Sequence, residues 1–204
     1  YGSTFGWQLV PFPEANMLIL NVPVAVGIQE QYVMNTITKQ WCKFTSWAAN
    51  CWELYGSNPY FGSTDYIAQA WNGYSDNSAN INCRGLQAFN YFSRPGVQKR
   101  FTLMRPMFQS TGAPEARVSI NVDFDESDTT SDVDFTAPGY AIWDQASSKW
   151  DDLATIWGGQ VSVFQSWQAA QAVGYCGAVQ VKVASNEISV GWVATDVVYE
   201  EGSI

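Results

Sequence analysis

Arg117-Val118-Ser119-Ile120-Asn121-Val122-Asp123-Phe124-Asp125 decides the fold class. Val118, Ile120, Val122 and Phe124 alternate with Ser119, Asn121 and Asp123, a period of two that puts one face of an extended strand in a core and the other in water. Before it, Gln98 to Gln109 reads as a long strand carrying Phe101, Leu103, Met107 and Phe108, in which Pro106 implies a bulge or an exposed edge. After it, Asp125 to Asp134 is acidic and rich in Ser and Thr, the composition of a long surface loop. Gly159 to Trp167, Gly174 to Ala184 and Ile188 to Tyr199 complete the set. The alternations of Val179, Val181, Val183 and of Ile188, Val190, Trp192, Ala194 predict that the last two strands form a hairpin about Ser185-Asn186-Glu187 with one buried face. Ser166 to Val173 fits a short helix, and its Trp and Gln fit an extended segment equally well. About six strands over residues 79–204 suit a β-sandwich of jelly-roll or immunoglobulin-like kind.

The first part of the chain is also read as strands. Met17 to Val24 opens the series, with Pro23 marking an edge or a strand end. Gln31 to Asn35, the polar turn Thr36 to Gln40 and Trp41 to Phe44 form a hairpin. Cys51 to Tyr55, the turn Gly56-Ser57-Asn58 and Pro59 to Gly62 form a second, and Asp65 to Trp71 adds one more strand. Short antiparallel strands joined by tight turns are how a β-propeller blade is written, at about 40 to 50 residues per blade. One or two blades fit here. A closed propeller needs about four or more, so the expectation is that the remainder lies upstream in a longer protein or that this part docks onto another chain. The polar stretch Asn72 to Asn80 marks the boundary, giving propeller-like blade strands over residues 1–78 and a β-sandwich over residues 79–204.

Composition narrows the chemistry. Of 204 residues 47% are apolar and 15% aromatic, with ten Trp, so a sizeable core is available and disorder is excluded. Nineteen acidic against ten basic residues give a net charge of −9, which repels nucleic-acid phosphates unless the basic residues gather on one face. Arg94, Lys99, Arg100 and Arg105 form a loose cluster, read as a solvated strand face. His is absent, which removes the usual general base and the commonest metal ligand. Cys42, Cys51, Cys83 and Cys176 show no CxxC spacing and are read as small buried thiols. Asp123, Asp125, Asp128, Asp132 and Asp134 lie close enough in sequence to suggest Ca²⁺, but the spacing of an EF-hand, with its central Gly and terminal Glu, is missing. No metal, cofactor or catalytic residue is therefore assigned. No apolar run approaches the roughly 20 residues that span a bilayer.

Gln31-Tyr32-Val33-Met34-Asn35-Thr36-Ile37-Thr38-Lys39-Gln40-Trp41-Cys42-Lys43-Phe44 and Tyr60-Phe61-Gly62 resemble the last propeller blade of bacteriophage virion proteins. Lys99-Arg100-Phe101, Arg105-Pro106, Asn121-Val122-Asp123-Phe124, Trp157-Gly158-Gly159, Gly174-Tyr175 and Trp192-Val193-Ala194-Thr195-Asp196 resemble the same proteins near their C-terminus, in the same order. The likeness runs from about residue 17 onward and points to the tail nozzle, hub or tubular components of short-tailed phages. It implies a structural, non-enzymatic virion protein forming a ring of copies, six in number, around the DNA exit channel. Its partners would be neighbouring tail or adaptor proteins, with double-stranded DNA passing without sequence-specific binding. An acidic channel lining would keep that DNA from adhering.

Two other readings come from the residues themselves. A carbohydrate-binding β-sandwich module, such as a receptor-binding one, would use exposed aromatics flanked by amides, and Trp71, Trp143, Trp150 and Trp157 lie in polar surroundings. A glycosidase would need two facing carboxylates and no His, but the Asp and Glu residues are scattered through loops. Most of the ten Trp are read as filling the β cores.

Overall fold

The computed structural model describes residues 6–128, 131–136 and 161–202. They are all-β, arranged in several antiparallel sheets, none closed into a barrel. The chain divides into two compact units, Tyr1–Asn72 and Gly73–Ile204.

In the first unit, β1 (Gln8–Phe12), β2 (Met17–Ala25), β3 (Ile28–Asn35) and β4 (Trp41–Phe44) form an antiparallel meander in that order. A second meander follows, of β5 (Cys51–Tyr55), β6 (Asn58–Gly62) and β7 (Ile67–Gln69). Both expected hairpins are present, and β1, which no sequence pattern announced, adds a strand ahead of β2. Pro23 sits where a proline costs least: β1 pairs with β2 only as far as Asn21, and the register of β2 with β3 shifts just after Pro23. The inner faces of the two meanders share one core, in which Val10, Phe12, Met17, Ile19 and Val33 from the first meet Trp52 and Phe61 from the second.

A polar network is buried inside that core. Asn21 and Gln31 are wholly inaccessible. The Asn21 amide donates to Gly6 O at 2.7 Å and Ala49 O at 3.1 Å, and its oxygen accepts from Gln31 Nε2 at 2.8 Å and Trp52 Nε1 at 3.2 Å. Gln8 clasps the Trp52 backbone through both its amide atoms, at 2.6 and 2.7 Å. Directional bonds of this kind fix how one sheet is set against another, which apolar packing alone leaves loose.

In the second unit, seven strands lie among the described residues. β10 (Glu115–Val122), β13 (Gly177–Ser185) and β8 (Ile81–Leu86) form one sheet in that order. β9 (Lys99–Ser110) is central in the other, with β14 (Val190–Glu201) on one side and β11 (Ser162–Gln165) then β12 (Gln168–Gly174) along the other. The two sheets face each other across a core of Phe101, Met104 and Phe108 against Ile120, Val179, Val181 and Val183, which makes this unit a β-sandwich.

The expected hairpin of the last two strands is not formed. β13 pairs with β10 and β8, whereas β14 pairs with β9 in the opposite sheet, so the Ser185 to Glu187 turn crosses the sandwich instead of folding back within a sheet. Nor does β13 have a single buried face, because every one of its residues is buried. The reason is the acidic segment after β10, expected as a surface loop, which runs back over the outer face of this sheet. Phe135 packs on Ala184 and Ile188, Asn80 donates to Phe135 O at 2.9 Å, and Lys182 reaches Asp128 at 2.7 Å and Asp132 at 2.9 Å.

The stretch from Ser166 to Val173 is extended. β11 and the start of β12 keep one register against β9, Gln165 opposite Met107 and Gln168 opposite Met104, with the ladder interrupted at Ser166 and Trp167 and shifting once more between Ala169 and Ala172. The interruption faces Pro106, which has no N–H to donate. On the other side of β9, a bulge in β14 between Trp192 and Ala194 lies next to the same proline. Pro106 therefore occupies a central strand with its neighbours adjusted around it, the bulge of the sequence expectation and not its exposed edge.

Candidate functional surface

The side chains singled out in the sequence disperse. The four basic residues do not make a phosphate site. Lys99 is wholly buried, its ammonium donating to Arg94 O, Val97 O and Tyr175 O at 2.7, 2.9 and 3.3 Å. Arg94 is bonded to Glu201 at 2.8 Å and Arg105 to Asp196 through Nε at 2.9 Å. Four of the five aspartates serve the fold, at three different places. Asp123, at φ 52°, caps the β12–β13 turn by accepting from Tyr175 N at 2.7 Å and Cys176 N at 3.2 Å. Asp125 binds Ser127, while Asp128 and Asp132 hold Lys182. Among the described residues no group of three His, Cys, Asp or Glu side chains is placed to hold a metal ion. Of the four thiols, Cys176 is buried as expected, but Cys42, Cys51 and Cys83 are exposed. Cys42 and Cys51 lie on the outermost strands β4 and β5, and Cys83 on the outermost strand β8, where fewer neighbours cover a side chain. Trp71 is half exposed, with its ring stacked parallel to Phe44 at 6.1 Å. Trp143, Trp150 and Trp157 lie outside the described residues, and so does the Trp157-Gly158-Gly159 motif.

What the structure assembles is apolar sheet face. On the β1–β4 meander the register lines up Pro11, Leu18, Met34 and Trp41 in one cross-strand row and Leu9, Leu20, Tyr32 and Lys43 in the next, with Val22 opposite Glu30. These rows point away from the core, and Leu9 and Trp41 are 57% and 54% exposed. β2 is thus apolar on both faces, the pattern of a strand covered on both sides. The charges on this face neutralise each other. Lys43 lies 2.6 Å from Glu30, and the Tyr32 hydroxyl donates to Glu30 at 2.8 Å. The Lys43 bond and then the Tyr32 bond hold the Glu30 carboxyl below its usual 4.5, and the same carboxylate raises the Lys43 ammonium.

The outer face of the β9 sheet has the same character, by way of a bulge. The registers of both β12 and β14 pass over Thr102, so the inward set changes from Lys99 and Phe101 to Met104, Pro106, Phe108 and Ser110. Leu103, Arg105 and Met107 are turned outward as a result. Arg105 sits between Asp196 on β14 and Trp167 in the break between β11 and β12, its guanidinium 4.9 Å from the Trp167 ring centre. Around them Val163, Val193, Leu103 and Val198 are exposed. Arg100 lies opposite Glu200 in the ladder, which places a second set of opposite charges on this face.

An open groove of about 350 Å³ lies at the end of the sandwich, where Pro114 and Glu115 approach Phe164, Gln165, Ser166 and Gln168. Trp167 points to the opposite side of its strand, onto Arg105, so the amides of the groove and the exposed indole do not form one platform. No helix among the described residues is long and apolar enough to cross a membrane. Set against family models, curated proteins and solved structures, the chain matches none.

The sequence pattern of β2 held the signal for the first face, since Leu18, Leu20 and Val22 alternate with Ile19 and Asn21. The second face carried none, because nothing in Phe101-Thr102-Leu103-Met104 announces a bulge at Thr102.

Proposed function

We propose that this chain is a structural, non-enzymatic component of a bacteriophage virion, part of the tail nozzle or hub, where copies of it form a ring with neighbouring tail or adaptor proteins around the DNA exit channel. The virion assignment rests on the sequence resemblance. The mode of action rests on one observation: the outer face of the β1–β4 meander is mostly apolar, and the Glu30–Lys43 pair on it neutralises itself. A surface of that kind gains by excluding water against another protein, and exposed apolar patches of a few hundred Å² or more commonly mark interaction sites. Imaging the purified chain by electron microscopy tests the reading. Rings with rotational symmetry are expected, and isolated single copies at every concentration would refute it.

A carbohydrate-binding module is the second reading, favoured by Trp167 standing half exposed between Gln165 and Gln168. The opposed directions of the indole and the groove weigh against it. Binding of the purified chain to a glycan array would reverse that order.

A further inference from the structure

The outer face of the β10–β13–β8 sheet carries one cation from each strand in a single cross-strand row, Arg117 and Arg84 standing opposite Lys182 on either side. Three of the chain's ten basic residues are thus side by side. Like charges directly opposite one another destabilise a sheet unless something anionic faces them. What faces them is a strap of the chain itself, residues 125–128 and 131–136. Asp128 and Asp132 reach Lys182 at 2.7 and 2.9 Å, Asp128 lies 4.0 Å from Arg84, and Arg117 donates to the Ser131 hydroxyl.

We propose that this face is a binding site for an extended acidic segment of a partner protein, and that the strap is its internal competitor, seated where the partner goes. The site stands apart from the apolar faces on which the proposed function rests. Ser119, Asn121 and Gln180 flank the row, so the covered face has the composition of one built for water, although Gln180 and Lys182 are buried beneath the strap. A permanent cover favours an apolar seat, because burying charges and amides costs free energy that an apolar surface does not. The fit is also incomplete, since the Asn121 side-chain oxygen is buried without a hydrogen-bond partner among the described residues. The strap is lightly held. Beyond the turn from Asp125 N to Val122 O at its root, no backbone hydrogen bond among the described residues ties it to the sheet. Phe135 alone is buried among its described residues, and the Asp132 side chain is 99% exposed. It leaves β10 through Asp123 and Phe124, at φ 52° and 64°, a region that residues other than glycine seldom adopt. Segments with few buried apolar contacts and no ladder of their own open first.

The seat reads the features of a peptide. Asn121 donates to the Asp125 and Ser127 carbonyls at 2.9 and 2.8 Å, and Arg84 to the Glu126 carbonyl at 3.0 Å, contacts that any extended backbone can make. Lys182 takes the carboxylates of both Asp128 and Asp132, and Phe135 fills an apolar seat on Ala184 and Ile188. A nucleic acid or a free polyphosphate would answer the cations and leave the seat of Phe135 empty. The fitting partner is an extended segment with two carboxylates followed by an aromatic residue, a case of basic clusters reading acidic motifs.

A synthetic peptide spanning residues 125–136 of this sequence is the probe, titrated against wild type and against the double variant Asp128→Asn, Asp132→Asn, whose strap has lost its carboxylates. A tethered strap competes at an effective concentration in the mM range, so the opened variant is expected to bind the peptide at least about 10-fold more tightly than wild type. Adding Lys182→Met to that variant, or placing the same two Asn substitutions in the peptide, is expected to remove the gain. Phe135→Ala releases the strap at its other end without touching a charge and is expected to show the gain as well, and thermal melts establish that each variant folds. Failure of both opened variants to bind up to roughly 1 mM peptide, or equal binding by wild type, overturns the proposal. Binding that survives Lys182→Met overturns it too, because the row is then not its origin. Tripolyphosphate bound as tightly as the peptide would make the seat a phosphate site, and an opened variant that dimerises without peptide would give it to a second copy; either result overturns the partner segment.

Discussion

Replacing Asn21 with Leu tests the internal order of the first unit. The side chain is wholly buried and uses all its hydrogen-bonding capacity, donating to Gly6 and Ala49 and accepting from Gln31 and Trp52. Leu has the same branched shape and is somewhat bulkier, so no cavity arises, but the Gln31 amide and the Trp52 indole N–H are left without a partner, as are two carbonyls. Each buried orphan costs about 1 to 3 kcal/mol. If half of them find substitutes, the two left cost about 2 to 6 kcal/mol, centred near 4, against about 2 kcal/mol gained from burying the leucine. A net destabilisation centred near about 2 kcal/mol follows. For a unit of this size that is a fall in Tm of roughly 8 to 16 °C. Trp47 and Trp52 pack in this core, so urea unfolding followed by tryptophan fluorescence reads the change directly. A stability within about 0.5 kcal/mol of wild type would refute the claim that this network sets one meander against the other. The consequence reaches the surface, because the inner network determines how the outer rows Leu9–Leu20 and Leu18–Met34 are presented.

Gly177→Ala destabilises the second unit, since an added Cβ meets the Phe101 ring at 2.8 Å and Ile120 at 3.1 Å in the middle of the sandwich core; a cost of about 1 to 3 kcal/mol by denaturant titration is expected, and an unchanged midpoint counts against the packing described. Lys182→Met loosens the acidic segment over β13. The carboxylates of Asp128 and then Asp132 raise the Lys182 ammonium above its ordinary 10.5, so its contribution is fully present below that pH and is lost as pH rises through the raised value. The stability gap between wild type and Lys182→Met is therefore steady from pH 7 to about 10 and closes above it, and a gap that closes near neutrality contradicts the pairing. Maleimide labelling of the native chain modifies Cys42, Cys51 and Cys83, while Cys176 reacts only after unfolding; rapid native labelling of Cys176 would show that the turn capped by Asp123 is open.

How far the sequence could be read depends on whether a residue's partners were local. Strict alternation of Val and Ile with Ser and Asn located β10, and tight turns with aromatic flanks located the hairpins of β3 with β4 and of β5 with β6, because those partners lie within a few residues. The pairing of β14 was illegible for the opposite reason. Its alternation specifies a strand with one apolar face and says nothing about which sheet receives it, and the Ser185-Asn186-Glu187 turn suits a crossing as well as a hairpin. The burial of both faces of β13 depends on Asp128, Asp132 and Phe135, roughly fifty residues earlier, folding back over Lys182 and Ala184. Leu103 shows the limit of periodicity. In Phe101-Thr102-Leu103 the two apolar residues share a face in a regular strand, and the bulge at Thr102 turns Leu103 out to 41% exposure. Pro106 is the intermediate case, since its missing N–H announced an irregularity whose form only the neighbouring strands determine. The candidate surface was half legible on the same terms: the apolar outer row of β2 stands in the sequence, whereas the face built by β9, β11, β12 and β14 exists only after long-range pairing.

Sedimentation of the purified chain over a wide concentration range, at low salt and again near 1 M salt, tests the central claim most directly, because added salt screens ionic contacts and leaves apolar sheet packing intact or strengthened. Association that grows with concentration and survives the added salt is the predicted result. Single copies under all conditions, or assemblies that dissolve as salt is raised, would contradict it.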